Sequence, residues 1–265
     1  KRIFTPIRAN VKLLASFKFL FMNIKKYIPN TITLLNLFCG LLALIAIFNG
    51  FYDHAFLFVS LGIFFDFWDG FLARKFNVSS ELGLQLDSLA DMVTSGVVPG
   101  LMMFKLIENI QNNQEIYNVT ADTFYMGVIP YFGFLITLAS CYRLANFNID
   151  KRQINSFIGL PTPANTLLIM SIPMIQYFGA IEWVSVILDN PYVLMGITFL
   201  SVFLLNAEIP LFSLKFKTFS WEESKLQILF VLFSVIMLLF FVFMAIPIIV
   251  FSYITISLIL NKSKK

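Results

Sequence analysis

The sequence predicts an all-α polytopic membrane protein, and three observations carry that prediction. Of its 265 residues, 58% are hydrophobic and only 13% charged, with mean hydropathy +0.82. A soluble domain carries roughly 25% charged and 45–50% apolar residues. Apolar runs long enough to cross ~30 Å of hydrocarbon, about 20 residues each, recur along the chain. The connections between those runs alternate between holding Lys or Arg and holding none.

The runs are Ile32–Phe48, Ala55–Ala73, Leu82–Ile107, Phe124–Leu144, Leu160–Ala180 and Tyr192–Leu205, followed by Leu226–Leu260. The last holds 35 residues, too many for one crossing. A break is expected near Ala245–Pro247, because proline ends or kinks a helix. Eight spans result. Lys25 and Lys26 then precede the first, Arg74 and Lys75 follow the second, and Arg143, Lys151 and Arg152 follow the fourth. Lys215, Lys217 and Lys225 lie between the sixth and seventh, and Lys262, Lys264 and Lys265 come last. The opposite connections, Asn49–His54, Glu108–Asp122 and Ile181–Pro191, hold no Lys or Arg. Basic residues favour the cytoplasmic side of short loops. Both ends are therefore expected in the cytosol, in a multi-pass protein of the cytoplasmic membrane.

Ahead of the first span, Leu13, Leu14, Phe17, Leu20, Phe21 and Ile24 form one helical stripe, with Lys12, Lys25 and Lys26 off it. This pattern predicts an amphipathic helix in the cytoplasmic interface, the alternative being a disordered basic tail. The expected organisation is residues 1–28 as that cytoplasmic segment, 29–218 as a six-helix catalytic membrane domain, and 219–265 as a C-terminal helix pair with a cytoplasmic tail. No cleavable signal is evident, and the opening on Lys1 rather than Met suggests that residues precede it. A net charge of +4 is too small to point to nucleic acid. Cys39 and Cys141 sit in apolar runs without metal-ligand spacing and read as core residues. His54, the only histidine, sits in a short polar turn, which argues against histidine-based catalysis. The Asn118-Val119-Thr120 sequon falls in an outer loop and carries little weight.

Chemistry concentrates in one stretch, DFWDGFLARKFNVSSELGLQLDSLAD, from Asp66 to Asp91. At 100° per residue, Asp66, Asp69, Gly70 and Ala73 share one face of the second helix. Gly83, Asp87, Asp91 and Thr94 share one face of the third. The connection Lys75–Glu81 is short, so the helices run antiparallel and the four carboxylates meet at similar depth. Four ionised carboxylates in a partly buried pocket repel one another, and one arginine, Arg74, does not neutralise them. Oxygen-seeking divalent ions, Mg²⁺ or Mn²⁺, do. Such ions suit a phosphoryl-type displacement, and Gly70, Ala73 and Gly83 leave room for a bulky phosphorylated substrate. The competing readings are helix-bridging ion pairs or an ion pathway. A cation transporter, however, distributes its acids through the membrane and shows repeat-related broken helices, and neither is seen here.

The spacing D-x2-D-G-x2-A-R-x8-G-x3-D-x3-D, read at Asp66, Asp69, Gly70, Ala73, Arg74, Gly83, Asp87 and Asp91, resembles the motif of the CDP-alcohol phosphatidyltransferases. The resemblance implies a six-helix membrane core, usually a homodimer, in which the aspartates bind two metal ions. It also implies that Asp91 acts as the base and that Gly70, Arg74 and their neighbours hold the CDP moiety. A narrower resemblance covers PNTITLLNLFCG, SSELGLQLDSLADMVTSGVVPG, RLANFN and FIGLPTPA, which look like the membrane-integral phosphatidylserine synthases. It implies CDP-diacylglycerol and L-serine as substrates, with the site open to the cytosol and the lipid tails entering between helices. Glycerol 3-phosphate or inositol phosphate as acceptor would call for more basic residues than the pocket offers. The C-terminal helix pair is the departure from the six-helix pattern.

Asn30, Thr33 and Asn36 recur at helical spacing and are candidates to line the nucleotide pocket, with ordinary capping and interhelical hydrogen bonds as the alternative. Arg143 ends the fourth span and is a candidate to pair with a phosphate or a serine carboxylate, the alternative being a plain cytoplasmic anchor. Lys215 and Lys217 read as interfacial anchors, and Pro161-Thr162-Pro163 as the entrance to the fifth helix.

Overall fold

A computed structural model describes residues 6–115, 127–150, 157–178, 182–212 and 221–262. Helix α1 (Pro6–Phe48) is followed by α2 (Tyr52–Phe76), α3 (Glu81–Asp91), a π-helical turn (Met92–Val97) and α4 (Val98–Glu115). A 3-10 turn (Ile129–Phe134) opens α5 (Leu135–Ile149), then come β1 (Phe157–Ile158), α6 (Thr162–Phe178), α7 (Glu182–Leu188) and α8 (Pro191–Asn206). Strand β2 (Pro210–Leu211), α9 (Trp221–Phe241), a 3-10 turn (Val242–Met244) and α10 (Ala245–Lys262) complete it. The expected all-α architecture is present, broken by one short antiparallel pairing of β1 with β2, Phe157 opposite Leu211 and Ile158 opposite Pro210.

By length and composition, Tyr27–Phe48, Tyr52–Phe76, Glu81–Asn112 and the Lys225–Asn261 run suffice to cross a bilayer, with the bent α7–α8 pair as a fifth candidate. The protein is therefore multi-pass. The Glu81–Asn112 segment is the central one, with 67% of its most apolar window buried, against 11% for Lys225–Asn261. The core gathers Ala43, Ile47, Val59, Met102, Met103, Ile107, Ile136, Ile169 and Leu194 from α1, α2, α4, α5, α6 and α8. A second cluster joins Leu160, Leu204 and Leu211 to Phe230, Val250 and Tyr253 of the C-terminal helices.

Several elements differ from expectation. The final apolar run reverses at Val242–Met244, a few residues before the expected break, and Val242 takes φ 46°. Pro247 instead sits in the first turn of α10, where its missing N–H costs nothing. The Phe230 and Tyr253 rings establish the reversal, since they lie 5.7 Å apart, whereas 23 residues of straight helix would separate them by about 35 Å. The third span runs on as helix through Glu115, into the expected loop 108–122, while the sequon 118–120 lies outside the described residues. The expected loop 181–191 holds α7, bent 78° from α8. Cys39 is buried as expected but Cys141 is exposed, because an apolar residue on a membrane helix faces lipid as readily as core. His54 is in the first helical turn of α2 rather than a loop. The amphipathic stretch 13–24 lies in α1, which passes unbroken through Pro29, in residues whose side chains are outside those described. Lys151, Arg152, Lys215 and Lys217 are also outside them.

The π turn is not written in local propensity. A π turn shifts the backbone pairing by one residue, so carbonyls are left to other donors. Thr166 of α6 donates to Ser95 O (3.0 Å) and Thr137 of α5 donates to Gly96 O (3.0 Å). Thr94, within the turn, itself donates to Asn36 O of α1 at 3.2 Å. Three neighbouring helices thus hold the wide turn that starts at the residue after Asp91.

Candidate active site

Two local signals fold the site. Helix α2 ends at Asn77, whose left-handed conformation (φ 54°) lets its N–H reach back to Arg74 O. Helix α3 starts at Ser80, whose hydroxyl accepts from Gly83 N at 3.1 Å. Between these caps the chain reverses in a few residues, and the faces carrying the aspartates turn towards each other.

Carboxylate oxygens of Asp66, Asp69 and Asp87 lie within 4.8 Å of one another. Asp69, 5% exposed, accepts a hydrogen bond from the Thr33 hydroxyl of α1. Asp87 Oδ1 is buried with no hydrogen-bond partner among the described residues. Asp91 is next to the trio but outside that 4.8 Å set, and its Oδ1 accepts from Asn36 Nδ2 at 3.2 Å. Among the described residues the close contacts between basic and acidic side chains are His54–Asp53 and Lys105–Glu108, so no described base comes within 4.0 Å of these four carboxylates. Among the described residues, a buried oxygen without a donor and three converging carboxylates that no base contacts form a donor set that fits oxygen-seeking divalent cations.

Beside the trio opens a cavity of about 220 Å³. It is lined by Pro29, Asn30, Thr33, Asp69, Gly70, Ala73, Arg74, Val78, Ser79, Ser80, Gly83, Leu84 and Asp87. Eight of the residues singled out from sequence therefore share one wall, and Asp66 joins them through the carboxylate trio. Asn36 does not line this cavity; it is fully buried one layer deeper, against Asp91. Arg143 is also elsewhere. It is 7% exposed, its Nη1 donates to Ile158 O (2.8 Å) and Leu205 O (2.9 Å), and it lines a separate cavity of about 80 Å³ with Asn146, Asp150 and Glu208. Sequence reasoning missed Pro29, Val78, Ser79, Ser80 and Leu84 as lining. Ser80 was findable, since a serine just ahead of a helix start is a capping signal. A larger cavity of about 640 Å³, between α9 and α10, is lined by residues such as Leu229, Phe233 and Phe251 and by no ionisable side chain; it offers no chemistry.

The site has a consistent side. Lys25 lies 5.7 Å from the centre of the Phe76 ring, so the start of the first span sits beside the end of the second. Asn148 Nδ2 donates to Ser88 Oγ at 2.9 Å, bringing the end of α5 to α3 between Asp87 and Asp91. At the far end Asn109 donates to the Tyr52 hydroxyl at 2.6 Å.

Gly70 gives a direct test of what the cavity holds. A methyl added there would meet only Arg74 Nη1, at 3.6 Å, so the protein itself has room for it. Gly70→Ala is therefore expected to keep or raise the melting temperature, since Gly inside a helix costs roughly 0.5–1 kcal/mol relative to Ala. The same methyl would occupy ligand space. The KM for a ligand of this cavity should rise about tenfold, an overpacking cost of roughly 1–3 kcal/mol. An unchanged KM would show that the ligand does not approach α2 at this point.

Comparisons with known proteins identify the family. The family description CDP-alcohol phosphatidyltransferase matches residues 26–193. A Bacillus subtilis protein named CDP-diacylglycerol–serine O-phosphatidyltransferase is 38% identical over 141 residues, 52% of this chain and 70% of that protein. A Methanocaldococcus jannaschii protein of the same name is 32% identical over 54% of this chain and 58% of its own length. An archaetidylserine synthase of Methanothermobacter thermautotrophicus is 27% identical over 58% of this chain and 61% of its own. The aligned regions span from about half to seven tenths of each chain. The family match over residues 26–193 contains all four aspartates and the cavity beside them, and the chain belongs to the CDP-alcohol phosphatidyltransferase family.

Proposed function

We propose that the protein transfers a phosphatidyl group from CDP-diacylglycerol to L-serine, giving phosphatidylserine and CMP. The observation that carries this reading is the convergence of Asp66, Asp69 and Asp87 beside a cavity bordered by Gly70, Gly83 and Arg74. The names of all three relatives contain serine, and the third names a different lipid, which supports serine as acceptor.

In this reaction the serine hydroxyl oxygen forms a bond to the lipid-side phosphorus. The bond from that phosphorus to the oxygen shared with CMP breaks, and CMP leaves with the bond's electron pair. Asp66, Asp69 and Asp87 would hold Mg²⁺ or Mn²⁺, in the family pattern two ions. Such ions neutralise diphosphate charge and make the leaving group better. Asn30, Thr33 and Arg74 bind the nucleotide head, Arg74 giving a guanidinium suited to phosphate. Asp91 takes the proton of the serine hydroxyl. Arg143 lines a separate small cavity and gives its Nη1 to the carbonyls of Ile158 and Leu205, so the expected pairing with a serine carboxylate has no place in this reading. The cavity opens to the cytosol in a cytoplasmic membrane, both termini lie inside, and the active unit is a homodimer.

The test is CMP release by the full chain in lipid nanodiscs, with CDP-diacylglycerol and L-serine, glycerol 3-phosphate, inositol phosphate or ethanolamine. Release with serine at least tenfold above the others is expected. A preference for a phosphorylated acceptor would keep the reaction class and overturn serine.

A further inference from the structure

The helical spacing of Asn30, Thr33 and Asn36 points all three at the nucleotide pocket, yet the surroundings of Asn36 assign it a different role. It is fully buried in α1, held from three sides. Its backbone carbonyl accepts from Thr94 Oγ1 at 3.2 Å, tying it to the π turn. Its side-chain oxygen faces α2 at Gly62, where an added methyl would come within 3.0 Å of Asn36 Oδ1 and 2.8 Å of Thr94 Cγ2. One turn along α1, a methyl at Gly40 would come within 2.5 Å of Thr94 Oγ1. The amide nitrogen is left to point at a single partner, Asp91 Oδ1, at 3.2 Å. Asn36 Oδ1 has no hydrogen-bond partner among the described residues, so the amide is seated by packing and not by a second polar contact.

We propose that Asn36 is a positioning residue for Asp91: it holds one carboxylate oxygen so that the other faces the acceptor hydroxyl. The inference rests on the reading of Asp91 as proton acceptor. A carboxylate on a helix turns about two side-chain bonds, and proton transfer needs one oxygen within hydrogen-bond reach of the hydroxyl. A donor on Oδ1 removes that freedom. Because the donor is a neutral amide and not a lysine or arginine, it orients the carboxylate without adding a counter-charge that would weaken it as a base. The π turn contributes by starting directly after Asp91 and bringing Thr94 under the Asn36 carbonyl. Asn30 and Thr33, earlier on α1, face the nucleotide cavity. A single helix would thus serve both substrates at two depths.

The experiment uses the full chain in nanodiscs, with kcat, both KM values and melting temperature read for each variant. Asn36→Leu is close in shape and inexpensive to bury in an apolar helix, so the fold should hold. Its kcat should fall roughly 10–10²-fold, the scale set by small misplacements of a reacting group. The KM for CDP-diacylglycerol should stay within about twofold of the parental value. Gly62→Ala keeps every polar group and displaces Asn36 sterically; it should lower kcat in the same way. If Asn36 acts through Asp91, the Asn36→Leu/Asp91→Asn double variant should be no slower than Asp91→Asn alone. Additive losses, a parental kcat in Asn36→Leu, or a loss confined to the KM for CDP-diacylglycerol would each overturn the inference. Near-parental turnover in Asp91→Asn would instead overturn the reading of Asp91 on which it rests.

Discussion

Chelation of divalent cations with EDTA is expected to abolish CMP release, and Mn²⁺ or Mg²⁺ to restore it. The reason lies in the charge of the trio. Two unit charges 4.8 Å apart repel by about 3.5 kcal/mol at an effective dielectric near 20, so three such pairs amount to ~10 kcal/mol. That is comparable with the whole stability of a typical domain, about 5–15 kcal/mol. Neutralisation must come from cations or from protons, and the two differ experimentally. If cations supply it, Mn²⁺ alone, without substrate, should raise the melting temperature. The stabilisation reaches about 2.7 kcal/mol at 100 times its Kd. Asp69→Asn, which removes one of three ligand charges, should lose most of that rise. Full CMP release in excess EDTA, with no thermal response to Mn²⁺, would mean that the carboxylates are held neutral by protons and that the site is not a metal site.

What can be read from the sequence follows the range of the forces involved. Apolar runs and basic connections are local sums, and they mark the membrane helices and group Lys25 with the end of α2. Helical periodicity over Asp66–Asp91 is enough to place four carboxylates on facing surfaces, because a short connection leaves adjacent helices little choice. The π turn at Met92–Val97 is not legible. Its stability comes from hydroxyls of Thr137 and Thr166, far along the chain, and nothing in MVTSGV itself demands it. Periodicity puts Asn36 on the right helix and the right face but at the wrong depth, since depth depends on how closely Gly40 and Gly62 admit Thr94. Cys141 shows the complementary limit: in a membrane, hydropathy does not separate core from lipid-facing surface. Arg143 shows a third. Its charge suggests a ligand, while its Nη1 donates to two backbone carbonyls from separate segments, Ile158 and Leu205.

Asp91→Asn is expected to bind CDP-diacylglycerol normally and to lose turnover by roughly 10²-fold or more, the contribution typical of a general base. Asp91 lies four residues beyond Asp87, so it stays on the same face, about 6 Å further along the helix. Its oxygens are not among those within 4.8 Å of one another at Asp66, Asp69 and Asp87. It is half-buried and bonded through one oxygen to a neutral donor, Asn36, which leaves the second oxygen for the acceptor. The asparagine side chain keeps that shape and still fits its cavity, but its amide cannot take a proton. Asp66→Asn and Asp69→Asn differ in kind: each removes charge from the trio that, in the proposed reaction, holds the metal against the diphosphate, so nucleotide affinity should fall along with turnover. The measurement is CDP-lipid affinity and single-turnover CMP release for each variant at saturating serine. If Asp91→Asn loses affinity and turnover together, Asp91 belongs with the other three as a ligand. If it turns over at close to the parental rate, the hydroxyl proton goes elsewhere and the base assignment fails, while the carboxylate trio keeps its role.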